Sequence, residues 1–427
     1  MPGDERPQGA KMPDGDAAPG RPPDALAAAG EGTLLVTVTG PDRPGIAAAT
    51  FGALAAAGLP VLDVEQVEVH GQLFLCVELG APASDAGRVQ EAVAESAPDA
   101  HVAVAPLAPR GTVPGGARHP VHLVTVLAPR LDAGALAGVF GHVAACGGNV
   151  QRIVRLATYP VTSYELEVAG ADPVALRRRL AAEAARLQVD VAVQRAGLHR
   201  RAKHLIVLDA DSTLLQGEVI DLLAARAGCV EEVAAVTSAA MAGELDFGDA
   251  LAKRLALLAG LEVGVLHALR VELVLAPGAR TLIRTLRRLG YVTAVVSGGF
   301  VQVIEPLAAE LGIDYVAANE LEVVDGRLTG RVLGPLIDRA GKAAALERFA
   351  RAAGVPLAQT VAVGDGANDL DMLAAAGLGI AFNAKPLVRD AADAALTVPY
   401  LDAILFLLGI SRQEIEAADR QEADGAS

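Results

Sequence analysis

The chain has 427 residues, too many for one ordinary core, so two to four compact units are expected. Hydrophobic residues make up 52% and charged residues 20%, yet no uninterrupted apolar run of about 18 residues occurs, which argues against a bilayer-spanning helix. The net charge of −15 argues against a nucleic-acid partner, whose phosphates would need clustered Lys and Arg. Cys76, Cys146 and Cys229 lie far apart without CxxC spacing, so neither a disulfide framework nor a zinc site is implied and a cytoplasmic location is expected.

Residues 1–30 are rich in Pro, Gly, Ala and Asp and lack the basic start and apolar run of a secretory signal, so they read as a disordered leader. Over 33–106 the pattern predicts strand, helix, two strands, helix, strand: Thr33–Thr39, Gly45–Ala57, Pro60–Val69, Gln72–Gly80, Ser84–Glu95 and His101–Pro106. Alternation of Leu73, Leu75 and Val77 and the helical spacing of Ile46, Phe51 and Leu54 support this βαββαβ order. After the Pro- and Gly-rich linker Ala108–Ala117 the order recurs as His122–Leu127, Ala133–Cys146, Val150–Ala157, Val161–Ala169, Pro173–Leu187 and Asp190–Gln194, a structural repeat. From Lys203 the rhythm changes to buried strands alternating with helices, as in a doubly wound parallel sheet. His204–Leu208, Val292–Val296 and Thr360–Val363 read as central strands, and the helical stretch Glu218–Val274 as a cap inserted between the first two. The polar, acidic end beyond Arg412 is expected to fray.

The central motif is HLIVLDADSTLL over His204–Leu215, an apolar strand stopped by Asp209 and Asp211. Ligands of open α/β sheets bind beyond the carboxyl ends of strands, so both aspartates stand where chemistry is expected. A lone DxD is weak, since it serves equally well as a turn or helix cap. Three further signals follow in order: Ser297-Gly298-Gly299 after a strand, Lys342 near a helix start, and Gly364–Asp369, GDGAND, after another strand. Together they suit phosphoryl transfer, because an anionic nucleophile approaches a phosphate dianion only once its charge is offset. Asp209 and Asp365 offer hard oxygens for Mg²⁺; Ser297 and nearby N–H groups cradle phosphate oxygens; Lys342 adds positive charge. Asp209 attacks to give an acyl phosphate, and Asp211 protonates the leaving alcohol, then deprotonates water. Ser297 reads equally as a helix N-cap; most lysines are exposed, but in a chain this poor in Lys the intact motif order favours a catalytic Lys342.

These motifs resemble the haloacid dehalogenase superfamily, and across Lys203–Leu408 the likeness is closer, to its phosphoserine phosphatases. The resemblance implies a Rossmannoid core with Asp209 as nucleophile and metal ligand. It implies Asp211 as general acid/base and as a metal ligand through its backbone carbonyl, and Asp365 as a third ligand. Phosphate contacts are implied for Ser297, Gly298 and Lys342, with Asn368 and Asp369 in support. In GEVIDLLA and FGDALAKRLALL, Glu218 and Arg254 match the residues that hold the ammonium and carboxylate of free phosphoserine, and Met241 and Phe247 the apolar residues that close over it. Outside this context an acid or Arg on a helix is an ordinary solvated residue.

Residues 33–106 resemble an ACT domain, a ferredoxin-like amino-acid-binding module, through VTGPDRPGI over Val38–Ile46. Asp42, Arg43, Pro44 and Gly45 are the implied regulatory contacts, with L-serine the leading effector. The corresponding turn of residues 119–197 is APRLDAG over Ala128–Gly134, an ACT-like repeat without the DRPG signal. Both modules read equally as dimerisation elements, and a homodimer is expected. The expected division is a leader over 1–30, an ACT domain over 31–108, a second over 119–197, a phosphatase domain over 203–412 with its cap at about 216–276, and a flexible acidic tail over 413–427. The expected activity is Mg²⁺-dependent hydrolysis of O-phospho-L-serine, the last step of L-serine biosynthesis. Another phosphorylated amino acid, a phosphoprotein, or a non-catalytic amino-acid-sensing adaptor are the alternatives.

Overall fold

The computed structural model describes residues 32–107, 121–197, 200, 202–241 and 244–425. The leader expected over 1–30 and the linker expected over 108–117 lie outside the described residues. By its internal contacts the chain divides into two units, Met1–Ala117 and Arg118–Ser427.

The first unit contains β1 (Thr33–Pro41), α1 (Ile46–Ala56), β2 (Val61–Val69), β3 (Gln72–Gly80), α2 (Ala86–Ser96) and β4 (His101–Leu107). Its antiparallel sheet has the order β2-β3-β1-β4. Strand period two sends Leu34, Val36 and Val38 of β1 and Leu73, Leu75, Val77 and Leu79 of β3 to one face, where they pack on Leu54, Val89 and Val93 of the helices. The opposite face is only partly covered, with Phe74 46% exposed and Leu35 and Thr37 half-buried.

In the second unit the same order recurs: β5 (Val121–Ala128), α3 (Ala133–Ala145), β6 (Asn149–Ala157), β7 (Thr162–Ala169), α4 (Pro173–Leu187) and β8 (Asp190–Arg195). Here β5 is buried on both faces from Val124 to Ala128. Val124, Val126 and Ala128 meet α3 and α4, whereas Leu127, Ala192 and Val161 join the large core that also holds Ile206, Leu208 and Phe406. The module continues the sheet of the remaining chain: β8 pairs antiparallel with a later strand at Ala192 and Ala394, giving eleven strands in one sheet. Buried Asp190 secures the seam by accepting from Thr397 N (2.7 Å), Thr397 Oγ1 (2.8 Å) and Val398 N (3.3 Å). Gln194 and Arg200 both donate to the carbonyl of Leu407, and Arg200 also pairs with Glu165.

The remainder runs β9 (Leu205–Asp209), cap helices α5 (Val219–Ala227), α6 (Val230–Met241), α7 (Phe247–Leu257) and α8 (Gly264–Leu269), then α9 (Ala279–Arg288), β10 (Val292–Phe300), α10 (Val301–Leu311), β11 (Tyr315–Val324) and β12 (Arg327–Leu333). It closes with α11 (Arg339–Ala352), β13 (Thr360–Gly364), α12 (Leu370–Ala375), β14 (Gly379–Phe382), α13 (Pro386–Ala391), β15 (Ala394–Leu396), α14 (Ile404–Leu407) and α15 (Arg412–Gly425). Strands β11-β10-β9-β13-β14-β15 are parallel and β12 is an antiparallel edge. Strand β9 is buried on both faces, Leu205 and Val207 on one and Ile206 and Leu208 on the other, which explains its unbroken apolar run. Truncating such a leucine to alanine costs about 2–5 kcal/mol.

The end of the chain corrects an expectation. Residues 413–425 belong to helix α15 rather than a fraying tail: Ile415 is 2% exposed, and Asp419 pairs with Arg284 and Arg288. Two of the acidic residues that read as solvating, Asp419 and Glu422, instead face arginines of α9.

Candidate active site

Asp209 ends β9, the regular pairing of the neighbouring β10 stops at Val296 just before Ser297, and β13 ends at Gly364, so these three segments open on one edge of the sheet. Asp209 is 3% exposed, and its Oδ1 accepts from Ala210 N (2.9 Å) and Lys342 Nζ (2.7 Å). Lys342 stands in the first turn of α11, whose N-cap Asp338 accepts from Gly341 N. It is buried rather than solvated, and also donates to Asp369 Oδ1 at 2.7 Å. Burial alone would lower its ammonium, but Asp209 and Asp369 outweigh that and raise it above its ordinary value. Burial likewise holds the Asp209 carboxyl well above the usual range, with Lys342 opposing.

The chain turns sharply after Asp211, Ser212 having φ 58°. The Asp211 carboxylate is held by its own donors: Oδ1 accepts from Val219 N (2.8 Å) at the cap entrance and Oδ2 from Ser297 Oγ (3.0 Å). Burial raises its pKa, and those two donors oppose the rise. Ser297 Oγ accepts in turn from Gly299 N (2.8 Å). The helix that follows takes Phe300, not Ser297, as its N-cap residue. A Cβ on Gly299 would fall 2.9 Å from Ser297 Oγ and 3.0 Å from Asp211 Oδ2, so only glycine permits this approach.

Carboxylate oxygens of Asp209, Asp365 and Asp369 lie within 4.8 Å of one another. Burial and then the Asp369 charge push Asp365 up to about 6, and Thr213 Oγ1 donates to its Oδ1 at 3.1 Å. Such mutual repulsion among hard oxygen donors fits a divalent cation. Asp369 already serves Lys342 and Gly366 N, which leaves Asp209 and Asp365 as the less committed pair. The side chain of Asp211 is not in this cluster; only its backbone carbonyl remains for the expected ligand role. Asn368 is half-buried with Oδ1 against Gly366.

On the cap, Glu218 precedes α5 and Arg254 lies on α7. Glu218 is exposed at the rim, yet loss of solvation, then Asp211, Asp365 and Asp221, push it up to about 7. Arg254 is half-buried; Nε donates to Ala250 O (3.4 Å), and no hydrogen bond joins it to Glu218. Phe247 brings its ring to Gly298, 3.6 Å from where a Cβ would stand. The side chain of Met241 lies outside the described residues. In the first unit, Asp42, Arg43, Pro44 and Gly45 are all exposed; Arg43 pairs with Asp99 (3.2 Å) and Gly45 takes φ 97° before α1. Sequence reasoning missed Thr213, visible in the DxDST motif, and Asn319, whose only signal is an amide inside an apolar strand.

The pattern of haloacid dehalogenase-like hydrolases matches residues 206–374, and ACT-domain patterns match 32–105 and 120–194. A phosphoserine phosphatase of Streptomyces coelicolor is 55% identical over 91% of this chain and 94% of its own. One of Mycobacterium tuberculosis is 52% identical over 91% of this chain and 95% of its own. The crystal structure of a probable phosphoserine phosphatase from Vibrio cholerae is similar with TM-score 0.53 and 31% identity, covering 70% of this chain and 88% of that one. With this fold, this constellation of aspartates around a buried lysine and these relatives, the chain belongs to the phosphoserine phosphatases, haloacid dehalogenase-like hydrolases that here carry two ACT domains.

Proposed function

We propose that this chain hydrolyses O-phospho-L-serine to L-serine and phosphate, completing L-serine biosynthesis, with Asp209 as nucleophile. The observation that carries the reading is the Lys342 ammonium bridging Asp209 and Asp369 beside an acid, Asp211, that is aimed independently. Both hydrogen bonds to Asp209 fall on Oδ1, which leaves Oδ2 without a donor among the described residues. As the new P–O bond forms, the bond to the seryl oxygen breaks and Asp211 delivers its proton to that oxygen. Asp211 then takes a proton from water, whose oxygen attacks the phospho-Asp209 phosphorus, releasing phosphate and restoring the carboxylate. Ser297, Gly298 and Lys342 hold the phosphate, with Asn368 and Asp369 supporting the shell.

Asp209, Asp365 and the Asp211 carbonyl would hold Mg²⁺, which when bound supplies the charge that lets two anions meet. Glu218 takes the substrate ammonium and Arg254 its carboxylate, while Phe247 closes over the site and excludes water. The loop Asp42–Gly45 is the place for an amino-acid effector such as L-serine, and the modules support a homodimer. Among the described residues no helix is long and apolar enough to cross a membrane. The deciding measurement is steady-state phosphate release from O-phospho-L-serine, O-phospho-L-threonine and a phosphoserine peptide, with Mg²⁺ or EDTA and with or without L-serine. Turnover of free phosphoserine with Mg²⁺ is expected to lead; preference for the peptide, or full rate in EDTA, would overturn the reading.

A further inference from the structure

We infer that Asn319 is a positioning residue for phosphate recognition, tying the loop that carries Gly298 to the segment that delivers Lys342. The inference rests on the reading of Ser297, Gly298 and Lys342 as phosphate contacts. Asn319 stands on β11 beside β10 and is 1% exposed. The parallel ladder between these strands breaks between Val296 and Phe300, which takes Gly298 out of the regular pairing. Asn319 Nδ2 donates to the Gly298 carbonyl at 2.8 Å, filling that gap. Its Oδ1 accepts from Ile337 N, also at 2.8 Å, one residue before the Asp338 cap of the helix that bears Lys342.

A primary amide is costly to bury and ill suited to a strand interior unless donor and acceptor are both satisfied. Here each is satisfied by the backbone of a different loop. Among the described residues no backbone hydrogen bond joins 297–299 to 334–338, so one side chain sets the spacing between two phosphate-binding parts. Gln302 offers an internal contrast. Its amide bonds both Leu321 O (2.9 Å) and Leu321 N (3.2 Å), fastening α10 to β11 without touching either loop.

The test compares Asn319→Asp, Asn319→Ala, Gln302→Ala and Lys342→Ala with the unaltered full-length chain. For each, the rise in Tm produced by inorganic phosphate with MgCl2 reports phosphate affinity without requiring activity, and kcat and KM for O-phospho-L-serine follow. Asn319→Asp keeps size but sets an acceptor against the Gly298 carbonyl. It is expected to weaken phosphate about tenfold and to raise KM, while Gln302→Ala lowers the basal Tm and leaves phosphate affinity unchanged. Retained phosphate affinity in Asn319→Asp and Asn319→Ala would overturn the inference. So would an equal loss in Gln302→Ala, or outright unfolding of both Asn319 variants, which would make Asn319 a general core residue. If Lys342→Ala keeps the phosphate shift, the underlying assignment of the phosphate site fails instead.

Discussion

The two ends of the candidate site are built in opposite ways. At the phosphate end Lys342, Asp209 and Asp369 are buried and already bonded to one another, so charge and position are fixed before a substrate arrives. At the proposed amino-acid end Glu218 and Arg254 share no hydrogen bond, and both keep contact with solvent. Phosphate is common to every monoester, so its cradle gains from rigidity. An amino-acid zwitterion must be told from other alcohols, and two uncommitted charges are free to pair with it.

The sharpest attack on this division is Asp209→Asn, which keeps the shape of the phosphate end and removes the proposed nucleophile. Phosphate release should fall on the order of 10³-fold or more; a rate near that of the unaltered chain would place the nucleophile elsewhere. Arg254→Ala should lower kcat/KM for O-phospho-L-serine about a hundredfold, as expected for losing a charge-assisted pair, and hardly change turnover of p-nitrophenyl phosphate. Equal losses on both substrates would show that the cap serves the chemistry as a whole. The smallest effect concerns pH. Because Glu218 is pushed up to about 7, its carboxylate forms as pH rises through 7, and kcat/KM should climb with it and then level. Glu218→Gln should cost about tenfold at pH 8 and lose that limb; a limb unchanged in the variant would belong to another group such as Asp365.

Much of the site was legible because Asp209 and Gly364 end their strands and Ser297 follows the break in the pairing of β10, and each is marked by a motif in the sequence. The partnerships were not. That Lys342 lies between Asp209 and Asp369, or that Asn319 joins Gly298 to Ile337, depends on loops brought together from different strands, which no periodicity encodes. The acidic end misled because composition alone does not show Arg284 and Arg288 facing it. The two βαββαβ repeats read alike, yet one difference was on view: Leu127 stands where the first repeat has Thr39, turning a half-solvated sheet face into a buried one.

The seam made by β8 decides where this chain tolerates being cut. Strand β15 has three residues, and its outer side is occupied at Ala394 by Ala192. A fragment starting near residue 203 would bare that short edge, leave the amides of Thr397 and Val398 without Asp190, and turn the surface that met Leu127 and Val161 toward water. For anyone preparing the phosphatase portion alone, solubility depends on keeping residues 121–200 attached or on replacing that apolar surface.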